Sequence, residues 1–395
     1  MHVAINGMFW GQPTVGSGPY LHGLLDALAR VAPEHSYTLL LPAFQNDQRP
    51  TTNDQRDSKP SSFVARPSFV AVRTPFDGRS ANLAKLWFEQ ISVPWAAARL
   101  GADLLHVPYF APPLISRVPV VATILDIIPL LLPEYRGSAA VRAYMRLVTL
   151  AARRVRHTIA ISEHSRRDIM THLQIPPDRV TTVPLAAGPQ YLPADRHHAA
   201  ACVAERYGLR EPFVYYVGGL DARKNVGTLV RAFARMRRAG GPPTTLAIAG
   251  RALGGDPRLF PDLDALIAEE QAEPWVRRID VPHADGPLLY QAATVFAYPS
   301  RYEGFGLPPL EALACGTPAV VAEASSLPEA VGDAALRVPP DDVPGWTVAL
   351  WRLLADTQLR AELRARGLQQ AARFGYDRAA QATAEIFRAS LLPRP

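Results

Sequence analysis

Short runs of β-branched residues alternate with helical patterns along nearly the whole chain, and this alternation is typical of parallel sheets built from strand–helix units. In the first half, strands are predicted near 2–6, 36–41, 68–72, 103–107, 119–123, 157–161 and 180–183. In the second half, strands are predicted near 213–217, 244–249, 277–281, 294–298, 318–322 and 335–338. The pattern therefore predicts an α/β protein with two Rossmann-like, doubly wound domains.

The segments between and after the two sets of strands suggest the domain boundaries. A stretch rich in Pro, Ala and His over 191–211 indicates a linker between an N-terminal domain over 1–190 and a C-terminal domain over 212–372. The chain from about residue 342 is wholly helical, and its last part, 373–395, is expected to form a helix that packs back toward the N-terminal domain. A polar stretch over 43–62 is predicted to form a long surface loop.

Composition narrows the class of protein and of ligand. The apolar fraction of 48% and the charged fraction of 20% exclude wholesale disorder and coiled-coil composition. The two cysteines, Cys202 and Cys315, cannot form a disulfide framework or a four-cysteine zinc site, which fits a reducing cytoplasm. The net charge of +6 points to phosphate-bearing ligands or an anionic surface. Nucleic acid is a poorer explanation, because no nucleic-acid-binding module is recognisable.

No targeting or membrane-spanning segment is expected. The N-terminal residues run directly into a predicted strand, without the basic and apolar regions of a signal peptide. The most apolar stretch, 118–133, is interrupted by Asp126 and Pro129 and is shorter than the roughly 20 apolar residues that cross a bilayer. We therefore expect a cytoplasmic protein.

The stretch FAYPSRYEGFGLPPLEALACGTPAVVA, at 296–322, is the most informative part of the sequence. Pro308 and Pro309 suit the first turn of a helix, and Gly316 suits its end. This predicts that Glu311 lies in the first helical turn, at the carboxyl edge of a parallel sheet, where open α/β folds bind ligands. A carboxylate there can accept hydrogen bonds from two neighbouring sugar hydroxyls.

The loop before this helix carries a second acid. Glu303 lies eight residues before Glu311, and Gly304 and Gly306 allow backbone amides near the helix terminus to approach an anion. One loop can thus offer acceptors for hydroxyls and donors for phosphate. The alternative is that Glu303 is a surface acid and Glu311 a charge that favours the helix dipole.

A second stretch, YYVGGLDARKNVGTLVRAF at 215–233, has the same order of strand, glycine loop and helix. Gly218 and Gly219 permit a tight turn, and Arg223 and Lys224 are placed to reach a diphosphate. Two such loops on one sheet edge describe a nucleotide-sugar pocket. The alternative for Arg223 and Lys224 is an ordinary solvated pair.

These two loops, together with SLPEAVGDAAL at 326–336, closely resemble the family-4 retaining glycosyltransferases of GT-B fold. The resemblance implies two Rossmann-like domains that face a cleft and are bridged by C-terminal helices. It implies a metal-independent hexosyltransferase that needs no cofactor and uses a nucleotide-diphosphate sugar as donor. The acceptor would be a glycan or a lipid-linked molecule of a polysaccharide or glycolipid pathway. Likeness to bacterial mannosyltransferases favours GDP-mannose as donor, with UDP-glucose next.

The resemblance also implies roles for individual residues. Glu311 would hold the donor ribose, Glu303 would contact the transferred sugar, and Lys224, with Arg223, would bind the diphosphate. The loop residues beside the donor sugar and phosphate would be Gly304, Phe305, Gly306 and Leu307. No paired carboxylates of a hydrolase are evident. We therefore expect a front-face displacement in which the departing phosphate accepts the acceptor's proton.

The sequence departs from the family pattern at two positions. Many relatives carry Arg where this chain has Gly219, so Arg223 would have to supply the second positive charge. Relatives often carry His where this chain has Leu125, so no catalytic histidine is assigned there. Two alternatives stay open. One is a catalytically inactive protein that binds nucleotide sugars, and the other is a GT-B epimerase or hydrolase that needs no acceptor.

The N-terminal half offers looser candidates. Gly16 and Gly18 follow the first strand and precede a helix, so their amides are expected to face the donor phosphate or the acceptor. Asp126, at a strand end, is expected to orient an acceptor hydroxyl or to accept its proton, and a helix cap or a structural salt bridge is the alternative. His106, at the end of another strand, and Tyr109, just after it, would contact the acceptor or serve structure.

Two further polar motifs are interpreted as helix caps, and one helix carries a row of arginines. Ser162 suits a helix N-terminus, with a ligand contact as the alternative. The Asp-x-Asp pattern of 262–264 also suits a helix start, so no metal site is predicted from it. In the predicted helix 139–156, four arginines fall within roughly 80° of one another. They are Arg142, Arg146, Arg153 and Arg156. Such a stripe suits a sheet-packing helix with a solvated outer face, and peripheral contact with an anionic membrane is the alternative.

Overall fold

The computed structural model describes residues 1–12, 16–44, 67–252 and 254–393. The chain divides into two compact units, of which the first comprises Met1–Leu185 with Tyr376–Pro395 and the second Ala186–Gly375. From residue 45 onward, the predicted surface loop lies outside the described residues.

The first unit is built on a seven-stranded parallel sheet with the order β3-β2-β1-β4-β5-β6-β7. Its strands are β1 (His2–Asn6), β2 (Ser36–Pro42), β3 (Ser68–Val72), β4 (Leu104–Val107), β5 (Val120–Ile124), β6 (His157–Ala160) and β7 (Val180–Thr182). Its helices are α1 (Ser17–Val31), α2 (Ala81–Trp87), α3 (Val93–Arg99), α4 (Ile128–Leu131), α5 (Ala139–Ala152), α6 (Glu163–Leu173) and, at the end of the chain, α15 (Tyr376–Leu391).

The last helix belongs to the first unit because it packs against α1. A side chain at Gly23 would lie 2.3 Å from the Tyr376 ring, so glycine lets the two helices approach closely. Arg30 and Asp377 form an ion pair of 2.6 Å across the same contact. Phe387 is buried, with its ring centre 5.1 Å from that of His106. Burial of α15 against α1 and the end of β4 therefore completes the core of this unit.

The second unit is built on a six-stranded parallel sheet with the order β10-β9-β8-β11-β12-β13. Its strands are β8 (Phe213–Val217), β9 (Thr245–Ala249), β10 (Val276–Ile279), β11 (Val295–Tyr298), β12 (Ala319–Ala322) and β13 (Ala335–Val338). Its helices are α7 (Arg196–Tyr207), α8 (Val226–Arg238), α9 (Leu263–Glu269), α10 (Gly286–Ala292), α11 (Leu307–Ala314), α12 (Leu327–Val331), α13 (Val343–Ala355) and α14 (Thr357–Ala371).

The stretch interpreted as a linker, 191–211, is folded into the second unit. Asp195 caps α7 by accepting hydrogen bonds from the backbone of the first helical turn. Ala199 and Val203 on its inner face are each 1% exposed and belong to the core of the unit. The Pro- and His-rich composition is typical of a linker only at the start of this segment. Its alanine-rich part has high helix propensity and packs against the core of the second unit.

The predicted strands agree with the observed ones to within two residues at each end. A helix follows most strands and returns the chain to the same edge, which accounts for the parallel arrangement. In each sheet the winding direction reverses once, between β1 and β4 in the first unit and between β8 and β11 in the second. The carboxyl ends of the strands at such a reversal are where open α/β sheets bind ligands.

Candidate functional site

The loops that follow β8 and β11 meet at the reversal point of the second sheet. The two strands pair in parallel, with Val295 beside Val214 and Phe296 beside Tyr215, so their carboxyl ends lie at the same edge. Lys224 ends a short helical turn over Ala222–Lys224 in the first loop. The structure therefore brings together the two glycine loops singled out in the sequence.

Three of the predicted site residues form one charged cluster at this edge. Lys224 Nζ donates to Glu303 Oε1 at 2.7 Å and to the Tyr298 hydroxyl at 2.6 Å. Arg223 Nη1 lies 3.1 Å from the same Glu303 oxygen. Its Nε lies 3.3 Å from Asp221 Oδ1. The Lys224, Arg223 and Glu303 side chains are only 12–13% exposed, so they are held in place rather than being solvated surface charges.

The cluster fixes the protonation states of its members. Burial alone would raise the pKa of Glu303, but the charges of Lys224 and Arg223 outweigh it and lower this pKa to about 2. Burial lowers the pKa of the Lys224 ammonium, and Glu303 opposes this shift. Burial also raises the pKa of the Tyr298 hydroxyl well above its ordinary value. Glu303 is therefore a carboxylate and Tyr298 a neutral hydroxyl at neutral pH.

The backbone of Glu303 is held by two serines that the sequence analysis did not assign to the site. Ser325 Oγ accepts from Glu303 N at 2.9 Å, and Ser326 Oγ donates to the Glu303 carbonyl at 2.9 Å. Ser325 has a left-handed backbone with φ of 50°. Two hydroxyl residues directly before the helix start at Leu327 were the available sequence signal.

The helix after this loop begins as predicted, but Glu311 does not lie in its first turn. Gly306 is the N-cap of α11, with φ of 109°, and a side chain there would lie 2.8 Å from Leu327 Cδ2. Because α11 begins at Leu307, Glu311 falls in the second turn, and no acid lies in the first. Gly316 has φ of 76° just after the helix, which confirms its predicted place.

The start of α11 offers backbone donors at the sheet edge. The first amides of a helix have no acceptor within the helix, and they carry the positive end of its dipole. Pro308 and Pro309 lie in this first turn, as predicted, and give up only amide donors that would lack partners. Phe305 directs its ring inward, 5.5 Å from the ring of Phe374, so only its backbone can serve a ligand.

Glu311 is held by hydrogen bonds from two tyrosines. The Tyr290 hydroxyl donates to Glu311 Oε2 at 2.9 Å, and Tyr191 provides a second hydrogen bond. Burial raises the pKa of Glu311 to about 7, although both tyrosine hydrogen bonds lower it. Neither tyrosine was predicted as part of the site, because both are distant from Glu311 along the chain. Glu311 is thus a carboxyl group whose charge changes near neutral pH.

The loops after β8 and β9 approach each other closely at two glycines, Gly218 and Gly250. Gly218 has a φ of 151°, which favours glycine, and the Gly219 carbonyl beside it accepts from the Tyr216 hydroxyl at 2.7 Å. A side chain at Gly250, directly after β9, would lie 2.1 Å from the Gly218 carbonyl oxygen. Gly250 was not predicted as part of this edge. Its small size lets the loops after β8 and β9 pack together.

In the first unit, Gly16 precedes α1 as predicted, but Gly18 is already the second residue of the helix, and the two glycines have different surroundings. Gly16 is exposed, is the N-cap of α1 and has no described atom near the position of a side chain. Gly18 is buried, and a side chain there would lie 2.1 Å from the Gln12 carbonyl oxygen. Gly18 therefore has a packing role that Gly16 lacks.

This contrast gives a test of the two glycines. Gly18→Ala should lower the free energy of unfolding by about 1–3 kcal/mol, because the new methyl group meets backbone that cannot move aside. Gly16→Ala should change it by less than about 0.5 kcal/mol. Urea denaturation of both variants checks this. Equal stabilities would show that the loop after β1 does not pack on α1 as described.

The other residues of the first unit that were predicted to contact the acceptor are buried or hydrogen-bonded within the protein. Asp126 Oδ1 accepts from the backbone of Ile128, so it holds the start of α4. His106 is fully buried, its Nε2 lies 3.0 Å from the Thr123 hydroxyl, and burial lowers its pKa to about 3. Tyr109 is 6% exposed and donates to Glu89 at 3.1 Å. This structure gives His106 and Tyr109 no free surface for an acceptor, because the core of the unit encloses them.

A buried acid that the sequence analysis missed lies beneath Tyr109. Glu89 is fully buried and accepts from the Tyr109 and Tyr144 hydroxyls, and Lys85 Nζ lies 2.8 Å from it. Asn6, the last residue of β1, donates to the Tyr109 hydroxyl at 2.9 Å. A polar network therefore ties the reversal point of the first sheet to the segment between α2 and α3.

The arginine row predicted over 139–156 is not carried by one helix. The helix α5 ends at Ala152, so Arg153 is its C-cap and Arg156 lies beyond it. Arg153 donates to the Leu173 carbonyl, and Arg156 donates to the Ser390 carbonyl, both within the first unit. The surface expected to contact a membrane is therefore not continuous along this helix.

Both predicted caps are confirmed. Ser162 accepts from Ser165 N at the start of α6, and Asp262 accepts from the first amides of α9. Within the described residues, no three His, Cys, Asp or Glu side chains are grouped to hold a metal ion. No helix in the described ranges is long and apolar enough to cross a membrane.

The Glu303 cluster predicts a pH dependence of stability. Glu303 has a pKa of about 2 in place of 4.5, so its ionisation favours the folded state by about 3 kcal/mol above pH 4.5, and this contribution is lost as pH falls toward 2. Burial, which lowers the pKa of Lys224, opposes it in the net balance of the pair. Glu303→Gln should therefore be less stable than wild type at pH 7, with the difference shrinking in acid. Glu269→Gln, at an exposed position, is the control. The free energy of unfolding of wild type and of Glu303→Gln is measured at pH 7 and at pH 3. A difference between the two proteins that is equally large at both pH values would contradict the pairing.

Both halves of this chain match known protein families. Residues 205–370 match the family described as Glycosyl transferases group 1, and residues 16–187 match Glycosyltransferase Family 4. The "O-antigen chain mannosyltransferase B" of Escherichia coli is 30% identical over 95% of this chain and 96% of its own length.

Solved structures agree in fold. The sucrose-phosphate synthase of Thermosynechococcus elongatus superposes with a TM-score of 0.71 at 21% identity, covering 98% of each chain. Anabaena Alr3699/HepE in complex with UDP-glucose superposes with a TM-score of 0.72 at 20% identity, covering 98% of this chain and 100% of its own. Such likeness, at low identity, concerns the arrangement of strands and helices.

Proposed function

The chain belongs to the family-4 glycosyltransferases of GT-B fold, and on this premise we propose that it transfers a sugar, with retention, from a nucleotide-diphosphate sugar to a glycan or lipid-linked acceptor. The observation that carries the proposal is the cluster at the reversal point of the second sheet. There Lys224 and Arg223 converge on one Glu303 oxygen. Two fixed cations beside a helix start form a diphosphate site.

The donor would be bound by its two chemically distinct parts. The diphosphate would lie against Lys224, Arg223 and the first amides of α11, and the ribose hydroxyls would bind to Glu311. Glu303, held by Lys224, would face the transferred sugar. GDP-mannose is the donor that we favour, because the O-antigen mannosyltransferase is similar over nearly the whole chain. UDP-glucose comes next, since Alr3699/HepE was solved with it.

The proposed chemistry needs no general base in the protein. The acceptor hydroxyl attacks from the face that the diphosphate leaves, and the bond from the anomeric carbon to the phosphate oxygen breaks. The departing phosphate oxygen takes the acceptor's proton, and Lys224, Arg223 and the amides of α11 stabilise the charge that develops on it. A metal ion has no part in this proposal, because the side chains and the helix dipole neutralise the diphosphate.

The acceptor and the location are also part of the proposal. We infer that the first unit binds the acceptor, and that the enzyme works in the cytoplasm, in peripheral contact with the inner membrane face when the acceptor is lipid-linked. Both cysteines are free, which suits a reducing compartment. Nucleic acid is not among the proposed partners.

A thermal-shift screen tests the donor proposal. GDP, UDP, GDP-mannose and UDP-glucose are each added to the purified protein, because a ligand that binds only the folded state raises Tm. At least one nucleotide-diphosphate sugar should raise Tm in a concentration-dependent manner. No shift with any nucleotide at millimolar concentration would contradict the proposal.

Turnover then separates transfer from the alternatives. A transferase should release nucleotide diphosphate from the donor only when an extract that contains glycan or lipid-linked acceptors is added. Rapid release without acceptor would favour an epimerase or hydrolase. Binding of the donor without any turnover would favour a silent nucleotide-sugar-binding protein.

A further inference from the structure

The segment from α2 to α3 turns a row of large apolar side chains to the solvent. Leu83, Trp87, Ile91 and Trp95 are 47%, 37%, 50% and 59% exposed. We name these four residues the tryptophan stripe. They recur every four residues along one continuous helical segment, whereas most exposed apolar residues of a soluble protein are scattered singly. The stripe is therefore a candidate interaction surface.

The helical geometry keeps the four side chains on one side. In an ordinary helix, a four-residue step turns about 400°, so a stripe of this spacing would drift by about 40° at each step. A π turn over Phe88–Ser92 interrupts the segment. Such a turn holds one more residue than an ordinary helical turn, which cancels part of the drift. Ile91 and Trp95 thus stay in line with Leu83 and Trp87.

The charges around the stripe are positive. Arg73, Arg79 and Arg99 are exposed. The Arg99 guanidinium lies 5.1 Å above the Trp95 ring, and the Arg73 carbonyl accepts from the Ser92 hydroxyl at 3.1 Å, so both arginines lie beside the stripe helix.

Residues 73–100 carry fewer surface acids than cations. The acids of this range are Asp77 and Glu89. Glu89 is fully buried and paired with Lys85, so Asp77 is the one partly exposed acid beside three exposed arginines. This apolar row, with two tryptophans and a cationic border, is complementary to a surface that has an anionic outer layer over an apolar interior.

We propose that the tryptophan stripe is a membrane-contact surface, which inserts into the headgroup region of a bilayer that contains anionic phospholipid. Indole rings favour this interface because they are apolar with one polar N–H, and arginines bind the phosphates above them. The stripe replaces the arginine row of 139–156 as the surface for the peripheral contact, and this inference therefore deepens the proposed function.

The position of the stripe suits a lipid-linked acceptor. Glu89 lies on the inner face of the same segment and accepts from Tyr109, which in turn accepts from Asn6 at the end of β1. The stripe is therefore connected, through its own helix, to the reversal point of the first sheet. A membrane held by the stripe would present lipid-linked molecules near the unit that we propose for the acceptor.

Vesicle co-sedimentation tests the surface without any turnover. The full chain is mixed with vesicles of phosphatidylglycerol and phosphatidylcholine in equal parts, and with phosphatidylcholine alone. Wild type should bind the anionic vesicles more tightly than the neutral ones, and W87Q/W95Q should bind the anionic vesicles about tenfold or more weakly. The matched control is V348S/W351Q, which removes two exposed apolar side chains of α13. It should bind as wild type does.

Three results of the vesicle experiment would overturn the inference: wild type that stays in the supernatant, W87Q/W95Q that binds as wild type does, or equal losses in W87Q/W95Q and V348S/W351Q. Sedimentation velocity tests the remaining occupant, a second copy of the chain. A dimer of wild type that becomes a monomer in W87Q/W95Q would also overturn it. The Tm shift by nucleotide sugar should be unchanged in W87Q/W95Q, so failure of the stripe and failure of the donor site can be told apart.

Discussion

Lys224→Ala is expected to lower kcat/KM for the nucleotide-sugar donor by about 10²- to 10³-fold, the usual effect of removing a fixed group that stabilises developing charge. The ammonium lies 2.7 Å from Glu303 and is 12% exposed, so water cannot replace it in the same geometry. Arg223 still faces Glu303 in the variant, which leaves this carboxylate partnered and the fold intact. Steady-state donor turnover and a thermal melt measure the two effects.

The control for this variant is Arg238→Ala. Arg238 is a cation of the same unit at the far end of α8, 46% exposed and paired with Glu270. It should retain wild-type turnover. If Lys224→Ala also retained wild-type turnover, the cluster would be a structural salt bridge and not a diphosphate site.

Donor affinity should rise with pH through about 7, because Glu311 must be ionised to accept hydrogen bonds from two ribose hydroxyls. Burial holds the pKa of Glu311 at about 7, so the carboxylate fraction rises about tenfold between pH 6 and 8. In Glu311→Gln, affinity should be at least about tenfold lower at pH 8 and independent of pH in this range. Donor Kd measured across pH 6–8 checks this.

A second variant moves the same transition. The Tyr290 hydroxyl hydrogen bond favours the carboxylate, so Tyr290→Phe should raise the pKa of Glu311 and shift the affinity profile to higher pH. A flat profile in wild type, or the same profile in Tyr290→Phe, would contradict the assignment of Glu311.

The same pKa has an opposite effect on stability. The folded state keeps a proton on Glu311 up to about pH 7, whereas the unfolded chain releases it near 4.5, so stability falls as pH rises between these values. The loss amounts to about 3 kcal/mol, and Glu311→Gln should not show it. Urea denaturation at pH 5 and 8 should therefore favour Glu311→Gln at the higher pH.

The sheet architecture could be predicted from sequence because it rests on local patterns. Strands such as Phe213–Val217 are short apolar runs between turn residues, and their alternation with helices leaves few topologies. The linker at 191–211 was misjudged because composition does not show which faces of a helix become buried. Ala199 and Val203 become core only through contacts made by the folded second unit.

The charged centre of the site was predictable, but its surroundings were not. Arg223, Lys224 and Glu303 lie in two motifs whose strands proved to be neighbours. Tyr191 and Tyr290 are distant in sequence from Glu311, and tyrosine without a motif carries no local signal. The arginine row failed for the related reason that periodicity does not show where a helix ends.

A crystal structure with bound nucleotide diphosphate would locate the donor site, with GDP or UDP chosen according to which raises Tm. Diphosphate oxygens should lie within hydrogen-bond distance of Lys224 Nζ and of the first amides of α11, with the ribose on Glu311. A nucleotide bound elsewhere, with Lys224 still enclosed by Glu303 and Tyr298, would contradict this assignment.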